Sequence, residues 1–194
     1  MTTHTRKERE RAERRQRIID TARELAEAQG WEAVTVRRLA ARIEYSQPVL
    51  YSHFTGKSAI VSAVAEKGFA ELTEVLRRAQ DRASDDAGRL RAAARAYLEF
   101  AAANPALYDA MFSMSTDLTF GLEAPRTPRE TWSELGATFR PFPGELDFGV
   151  RIEVACCTLH GLATLEGGGR IRPELRDQRI DLLVAEWLAA MGTS

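Results

Sequence analysis

Apolar residues recur every three or four positions over most of this chain, the spacing that places side chains on one face of an α-helix. The first such stripe runs through residues 14–29 and is followed by Gly30, which can end a helix in the left-handed conformation. Further stripes follow through the rest of the chain, over residues 57–81, 89–103, 105–112, 127–139, 148–163 and 180–191. The pattern predicts an all-α protein.

The segment that begins at Thr35 contains two short helical stretches joined by a tight turn. Thr35 can cap the first, because its hydroxyl can accept a backbone N–H, and Val34 and Leu39 flank it as a hydrophobic staple. Ser46 can cap the second, where Pro48 falls in the first turn and its missing N–H costs no hydrogen bond. Two helices joined by about three residues cross steeply, as in a helix-turn-helix whose second helix enters a DNA major groove.

The second of these helices has an inner and an outer face. Leu50 and Phe54 face inward by their period, which leaves Gln47, Val49, Tyr51 and His53 outward. These outer side chains suit a groove, because an amide pairs with adenine, a small apolar group contacts a thymine methyl, and a phenol and an imidazole bind phosphates. Lys57 opens the next helix, where its ammonium can bind a phosphate. The alternative is a tight helical hairpin with a solvated polar face.

Residues 14–62 resemble the DNA-binding domain of TetR/AcrR-family transcriptional regulators. The resemblance is carried by the opening helix R-R-Q-R-I-I-D-T-A-R-E-L-A-E-A-Q-G, by T-V-R-R-L-A, and by L-Y-S-H-F-T-G-K-S-A-I. It implies a sequence-specific transcriptional regulator, most often a repressor, in which Arg37 and Gln47 read bases by their place in the motif. With the groove chemistry, the expected base-reading residues are Arg37, Gln47 and Val49, and the expected phosphate-binding residues are Thr35, Tyr51, His53 and Lys57.

One position in the turn departs from the family pattern. The chain has I-E-Y-S where A-G-V-S is common, so that Glu44 stands at the usual place of a Gly. A left-handed backbone there would be slightly strained with a side chain present. The change also puts an acid near the DNA.

Charge is distributed unevenly along the 194 residues, although the net charge is only −1. Residues 1–57 carry 12 Lys and Arg against 8 Asp and Glu, whereas residues 58–194 carry 15 against 20. The basic half contains the helix-turn-helix, as electrostatic docking on phosphates requires, and binding should therefore be salt-sensitive. No apolar run approaches a membrane span and no signal-peptide pattern is present, so we expect a cytoplasmic protein without membrane partners.

The expected organisation is an N-terminal three-helix helix-turn-helix DNA-binding domain followed by a C-terminal helical domain for ligand binding and dimerisation. Residues 1–13 are almost wholly polar and are expected to form a flexible charged arm, with residues 14–60 as the DNA-binding domain and 61–194 as the second domain. The arginines of the arm can reach a minor groove, but Glu10 with Arg14 and Glu13 with Arg17, each at i and i+4, equally suggest a solvated helical extension.

The C-terminal half also resembles a branch of the family, through N-P-A-L-Y-D-A-M-F and through L-H-G, where that branch usually has W-H-G. The resemblance implies a homodimer whose last two helices meet those of a second subunit as a four-helix bundle. The apolar faces of these helices are compatible with this interface, and the predicted dimer residues are Leu159, Leu162, Ile180, Leu183, Val184 and Trp187. In a dimer, the two recognition helices would lie about 34–36 Å apart.

Aromatic and other apolar residues of the second half can line a pocket for a small, mostly apolar effector that releases the DNA. The predicted pocket residues are Tyr97, Phe100, Tyr108, Met111, Phe112, Phe120, Trp132, Phe139, Cys156 and His160. Most such residues are ordinary core, and His160 is more often a satisfied core histidine. The adjacent Cys156 and Cys157 are interpreted as small buried hydrophobes, since they suit neither a disulfide nor a zinc site.

Catalytic motifs were not found in the sequence. The three histidines, His4, His53 and His160, have no metal-ligand spacing, and the glycines at 167–169 lack the lysine of a phosphate loop. No enzyme activity, metal or cofactor is therefore expected. Two rival interpretations remain: an architectural DNA-binding protein without sequence preference or ligand response, and a small-molecule carrier or enzyme with a vestigial helix-turn-helix.

Overall fold

The helical spacing of the sequence corresponds to nine α-helices in the residues that the computed structural model describes, which are 3–114, 126–139 and 148–192. The all-α prediction is confirmed for these residues. In chain order the helices are α1 (Thr3–Gln29), α2 (Val36–Arg42), α3 (Gln47–Tyr51), α4 (Lys57–Asp81), α5 (Asp86–Ala103), α6 (Pro105–Phe112), α7 (Arg126–Ala137), α8 (Phe148–Gly167) and α9 (Arg176–Gly192), with short 3₁₀ turns at Trp31–Ala33 and Pro173–Leu175. None of the helices in this part of the chain is both long and apolar enough to cross a membrane.

Contacts divide the chain into two compact units. The first contains α1, α2, α3, the part of α4 up to Gly68, and α6, and the second contains the part of α4 from Phe69 together with α5, α7, α8 and α9. The boundary thus falls within α4, eight residues after the one predicted at residue 60. The grouping also differs from the prediction for α6, which the sequence assigned to a domain of residues 61–194.

Specific contacts with α1 explain why α6 belongs to the first unit. Both carboxylate oxygens of Glu27 accept α6 backbone N–H groups, from Ala106 at 3.1 Å and from Leu107 at 3.0 Å. Asn104 occupies the N-cap position of α6 but makes no capping hydrogen bond, and its side-chain oxygen accepts from Arg23 instead. A carboxylate from α1 therefore replaces the local cap, and its negative charge also favours this end of the helix dipole.

Two further contacts strengthen this junction within the first unit. The Trp31 indole donates to the Ala106 carbonyl at 2.8 Å, and the Trp31 carbonyl accepts from the Lys57 ammonium at 2.6 Å. A Cβ atom on Gly68 of α4 would lie 2.6 Å from the sulfur of Met111 on α6, so any larger residue would require the α6 side chains to shift. The ends of α1, α4 and α6 are thus packed into one structure beside the helix-turn-helix.

The predicted arm of residues 1–13 is helical from Thr3, as the N-terminal part of α1. Ion pairs at i and i+4 line this extension, between Arg6 and Glu10 at 2.9 Å and between Arg9 and Glu13 at 3.5 Å. Arg14 lies 3.9 Å from Glu10, which is one of the two pairs that the sequence suggested. The structure of these residues therefore corresponds to the helical alternative, because charge pairs of this spacing support an exposed helix.

In the second unit, α5 packs against α8 and α9, and α7 packs against α8. A buried hydrogen-bond cluster joins α4 to α7, in which one of the Thr73 and Thr131 hydroxyls donates to the other at 2.7 Å and the second donates to the Phe69 carbonyl, which lies 2.8 Å from both. Glu166, near the end of α8, pairs with Arg176 at 2.6 Å and with Arg179 at 3.4 Å. This ion cluster fixes the connection from α8 to α9.

Candidate nucleic-acid interface

Local capping and one arginine fix the position of α2. The Thr35 hydroxyl accepts the Arg38 backbone N–H at 3.2 Å, which confirms the predicted N-cap. The Arg38 guanidinium turns back to the end of α1, where it donates to the Gln29 side chain at 2.6 Å and to the Ala33 carbonyl at 3.3 Å. Arg37, the neighbouring residue, is exposed. Of these two adjacent arginines, Arg38 therefore braces the motif and Arg37 is open to a partner.

The turn between α2 and α3 comprises residues 43–46 and contains a left-handed residue. Glu44 has φ +58°, and it has the one positive φ among the non-glycine residues that the structure describes. The Tyr45 backbone N–H returns to the Ala40 carbonyl at 2.9 Å, and the Tyr45 hydroxyl accepts from Arg17 at 3.3 Å. The left-handed conformation expected at Glu44 is thus present, and two contacts of the next residue, Tyr45, hold the turn.

The recognition helix α3 is shorter than its pattern predicted. Ser46 stands at the N-cap position but makes no side-chain capping bond, and Pro48 lies in the first turn as expected. The helix ends at Tyr51, and Leu50 and Phe54 are buried as predicted. The outer face carries Gln47 and Tyr51, both exposed, with the half-buried Val49 between them.

His53 lies just after α3 among arginines of α1. Burial lowers the pKa of His53, and the positive charges of Arg11, Arg14 and Arg15 lower the pKa further. The Arg15 guanidinium lies over the Phe54 ring, 5.1 Å from its centroid. An anion bound here would raise the pKa of His53, because its negative charge would favour the protonated imidazole.

All seven residues predicted to contact DNA lie in the first unit, on or next to α2, α3 and the start of α4. Lys57 differs from the expectation in one respect, because its ammonium already donates to the Trp31 carbonyl. Two of its three N–H donors are left for a phosphate. No local pattern indicates this contact, since Trp31 and Lys57 are 26 positions apart along the chain.

The residues predicted to line an effector pocket are divided between the two units. Tyr108, Met111 and Phe112 lie on α6 in the first unit, where Tyr108 and Met111 are buried. The second unit contains Tyr97, Phe100, Trp132, Phe139, Cys156 and His160, while Phe120 lies outside the described residues. Within the second unit, Tyr97, Phe100 and Phe139 are buried and Trp132, Cys156 and His160 are half-buried.

The predicted dimer residues are mostly covered by their own chain. Within the single chain, four of them are already buried, namely Leu159, Ile180, Leu183 and Val184, whereas Leu162 and Trp187 are half-buried. A different stripe of α8 and α9 is exposed and apolar, comprising Val150, Val154 and Leu165 with Leu182. Core and interface residues follow the same helical spacing, so the spacing alone could not distinguish these two stripes.

The two cysteines also differ from each other, although both were interpreted as buried. Burial raises the pKa of the Cys156 thiol to about 11, with the neighbouring Cys157 contributing. Cys157 is exposed, and its position in α8 places it on the same side as Val150 and Val154. Cys156 is half-buried, so it comes closer than Cys157 to the small buried hydrophobe that was predicted.

Known families match both halves of the chain. The family described as bacterial regulatory proteins, tetR family, matches residues 18–64, and the family described as tetracyclin repressor-like, C-terminal domain, matches residues 90–191. The activator FasR of Mycolicibacterium smegmatis is 34% identical over 90 residues, covering 46% of this chain and 41% of its own. The class C tetracycline repressor protein of Escherichia coli is 48% identical over 52 residues, covering 27% of this chain and 24% of its own.

The chain spans less than half of the length of the curated relatives it matches. A solved structure shares the fold over a larger part of the chain. It is a TetR variant from Acinetobacter baumannii in complex with minocycline, with a TM-score of 0.67 at 18% identity, covering 91% of this chain and 97% of that one.

The capped α2, the tight turn and α3 with its exposed outer face therefore form a helix-turn-helix, the motif of a class of DNA-binding proteins. The matched C-terminal domain covers more than half of the chain. This protein belongs to the TetR family of transcriptional regulators, as the resemblance of its recognition segment implied.

Proposed function

We propose that the protein is a homodimeric repressor that binds a near-palindromic operator and is released from it by a small, mostly apolar effector. The observation that carries the proposal is the exposed outer face of α2 and α3. Gln47 and Arg37 present an amide and a guanidinium, the two side-chain groups that read adenine and guanine by paired hydrogen bonds. Val49 lies between the helix core and this face, and we assign it to a thymine methyl.

Phosphate contacts would surround this reading face. Thr35 and Tyr51 are exposed beside it, and Lys57 keeps two N–H donors beyond its bond to Trp31. His53 is half-buried among arginines, which suits a phosphate better than a base. Contacts of this kind orient the protein on the duplex and make its affinity fall with salt, while the reading residues set the sequence.

The dimer proposal is supported by the exposed apolar stripe on the last two helices. Val150, Val154 and Leu165 recur on one side of α8, and Leu182 adds an exposed leucine on α9. Association of such stripes would remove apolar surface from water at about 25 cal/mol per Å². The buried residues Leu159 and Ile180 then support the interface from inside each subunit.

Exposed Cys157 provides a measurement of this interface. If the stripe is the dimer interface, Cys157 should react with N-ethylmaleimide much more slowly at concentrations where the protein is dimeric. The substitution Val154→Asp should shift the protein to monomer by sedimentation and restore the reaction. Equal reaction rates in monomer and dimer would exclude this stripe.

The effector proposal rests on the second unit. Trp132, Cys156 and His160 are half-buried there, and α7 and α8, which carry them, are neighbours. A solved TetR variant of the same fold is in complex with minocycline, which supports a small-molecule site in this protein as well. If an effector lowers the affinity for the operator by a given factor, the operator must lower the affinity for the effector by the same factor.

The sign of regulation is proposed from the similarity to the class C tetracycline repressor protein, although FasR is an activator. Selection of bound duplexes from a random pool, with the purified protein near physiological salt, tests the DNA-binding part. A palindrome with half-sites about one turn apart is expected. If folded protein enriches no sequence, the DNA-binding part of the proposal is refuted.

Transcription from a promoter overlapping the selected site should then fall when the protein is added, and a rise would refute the repressor assignment.

A further inference from the structure

The N-terminal extension of α1 forms one wall of a basic groove beside the recognition helix. Lys7, Arg11 and Arg14 stand at i, i+4 and i+7, so they share one face of α1. Together with Glu10, and with Ser52 and His53 from just beyond α3, they line a groove of about 400 Å³. The groove thus contains three cationic side chains and one carboxylate.

The structure holds this groove in place from both sides. The Arg11 guanidinium donates to the Ser52 carbonyl at 3.4 Å, and Arg15 lies over the ring of Phe54, the residue after His53. These contacts tie α1 to the segment that follows α3. The groove and the recognition helix therefore belong to one local structure.

The single carboxylate does not cancel the positive charge. Glu10 lies 2.9 Å from Arg6 outside the groove and 3.9 Å from Arg14 within it. The hydrogen bond from Arg6 contributes most to a lowered pKa of Glu10, so the carboxylate stays ionised and is shared with a residue beyond the groove. Lys7 and Arg11 then give the groove a net positive charge.

An anion with several oxygens at regular spacing matches this arrangement. Guanidinium groups bind phosphate oxygens in paired geometry, and an ammonium binds them as a point charge. The groove is next to α3, and it runs along the N-terminal extension of α1. Residues 3–13 add about 16 Å at 1.5 Å per residue. That length corresponds to roughly five base-pair steps of 3.4 Å.

We infer that this groove, formed by Lys7, Arg11, Arg14, Ser52 and His53, binds backbone phosphates of DNA that flank the half-site contacted by α3. The inference rests on the proposed DNA-binding function and extends it, since His53 is the one residue of the seven already assigned to DNA contacts that lies in this groove. The extension of α1 then acts as a sequence-independent clamp on flanking DNA.

Matched double variants test the site, because α1 carries basic residues on opposite faces. The pair Lys7→Gln and Arg11→Gln removes two charges from the groove, and the pair Arg6→Gln and Arg9→Gln removes two from the other side of the same helix. All four side chains are exposed, but Arg6 and Arg9 each give up an ion pair at i and i+4, so circular dichroism must show equal helicity in the two variants before they are compared. Arg14→Gln provides a second groove variant.

The measurement is the salt dependence of binding to a long duplex of random sequence, by fluorescence anisotropy. We expect the slope of log K against log salt to fall by about 2 for the groove pair, because each lost phosphate contact removes about one. Between 50 and 200 mM salt, this corresponds to about a tenfold smaller loss of affinity than for the wild type. The control pair should change the slope by less than half as much. Equal slopes, or equal decreases in both pairs, would overturn the inference.

The length of the DNA separates this site from the helix-turn-helix itself. On the selected operator, wild-type affinity should rise as each flank is lengthened to about five base pairs and then level off, whereas the groove pair should gain less. A flank-independent difference would overturn the assignment to flanking DNA. Inorganic phosphate exchanged for chloride at constant ionic strength should leave the slope difference unchanged, and saturable competition by it would indicate a free-phosphate site instead. If no operator is enriched, the proposed function fails, but the random duplex still tests the groove.

Discussion

Replacement of Glu44 should stabilise the protein, because this residue holds a left-handed backbone conformation at φ +58°. For a residue with a side chain that conformation costs roughly 1–2 kcal/mol. Glu44→Gly removes this cost but makes the unfolded chain more flexible, which costs roughly 0.4–1 kcal/mol. The net gain in the free energy of unfolding should be about 0.5–1 kcal/mol, or a few degrees in the melting temperature of a chain of this size.

Two further substitutions separate the backbone effect from that of the carboxylate. Glu44→Asn keeps a side chain but is tolerated in the left-handed region, so it should give a gain similar to that of Gly. Glu44→Gln removes the charge and keeps the strain, so stability should change by less than about 0.5 kcal/mol. The three variants should differ in stability but not in DNA affinity, because Gln, Asn and Gly all remove the same negative charge from the turn.

Charge removal should have only a small effect on affinity. A carboxylate about 10 Å from a phosphate in water contributes about 0.4 kcal/mol of repulsion, and salt reduces that value. All three substitutions should therefore increase affinity by less than about twofold. Urea unfolding followed by circular dichroism measures the stabilities. If Gly and Asn are no more stable than Gln, the turn stores no strain, and the reasoning from its backbone geometry is refuted.

Three other side chains give measurable predictions. Glu27→Ala should destabilise the first unit by about 1–2 kcal/mol in urea unfolding, because two α6 amides lose their cap. The exposed control Glu24→Ala should cost under about 0.5 kcal/mol. Equal losses in the two variants would refute the cap. Glu166→Ala removes the carboxylate that pairs with two arginines of α9, and it should lower the free energy of unfolding by about 2–3 kcal/mol, below the range for fully buried pairs because those arginines are partly exposed. The control Asp181→Ala breaks an exposed pair and should lower it by less than about 1 kcal/mol. Burial and nearby arginines lower the pKa of His53, so unfolding takes up a proton as the pH falls below about 6.5, and stability should decline there. His53→Gln should remove that part of the decline in melting experiments between pH 7.5 and 5.5, and an unchanged profile would exclude His53 as its source.

Local signals allowed much of the helix-turn-helix to be predicted from the sequence. Thr35 caps α2 because its hydroxyl needs only the amide three residues later, and Leu50 is buried because its spacing fixes its face. The same reasoning found the beginning and the end of α4. It failed for Ser46, which has the right position but makes no capping bond. Sequence identifies candidates for a cap but does not determine where the hydroxyl points.

Contacts between distant residues could not be predicted in this way. Glu27 caps α6 from 79 positions away, and Asn104, the local candidate, binds Arg23 instead. No periodicity in the sequence indicates such a pair, so the packing of α6 with α1 could not be predicted. The exposed apolar stripe of α8 and α9 was not predicted for a related reason. Val154 and Leu159 both follow helical spacing, and only packing reveals that Leu159 is covered by its own chain while Val154 is exposed.

The central claim is that the outer face of α3 reads DNA sequence, and a complete base-substitution series on the selected operator tests it most directly. Binding of the wild type, Gln47→Ala and the control Gln16→Ala, which changes an amide of α1 outside the helix-turn-helix, should be measured against each single base change at one salt concentration. We expect Gln47→Ala to lose about 1–3 kcal/mol of discrimination at one base pair per half-site, with the other positions and the control unchanged. An identical preference in all three proteins would contradict the claim.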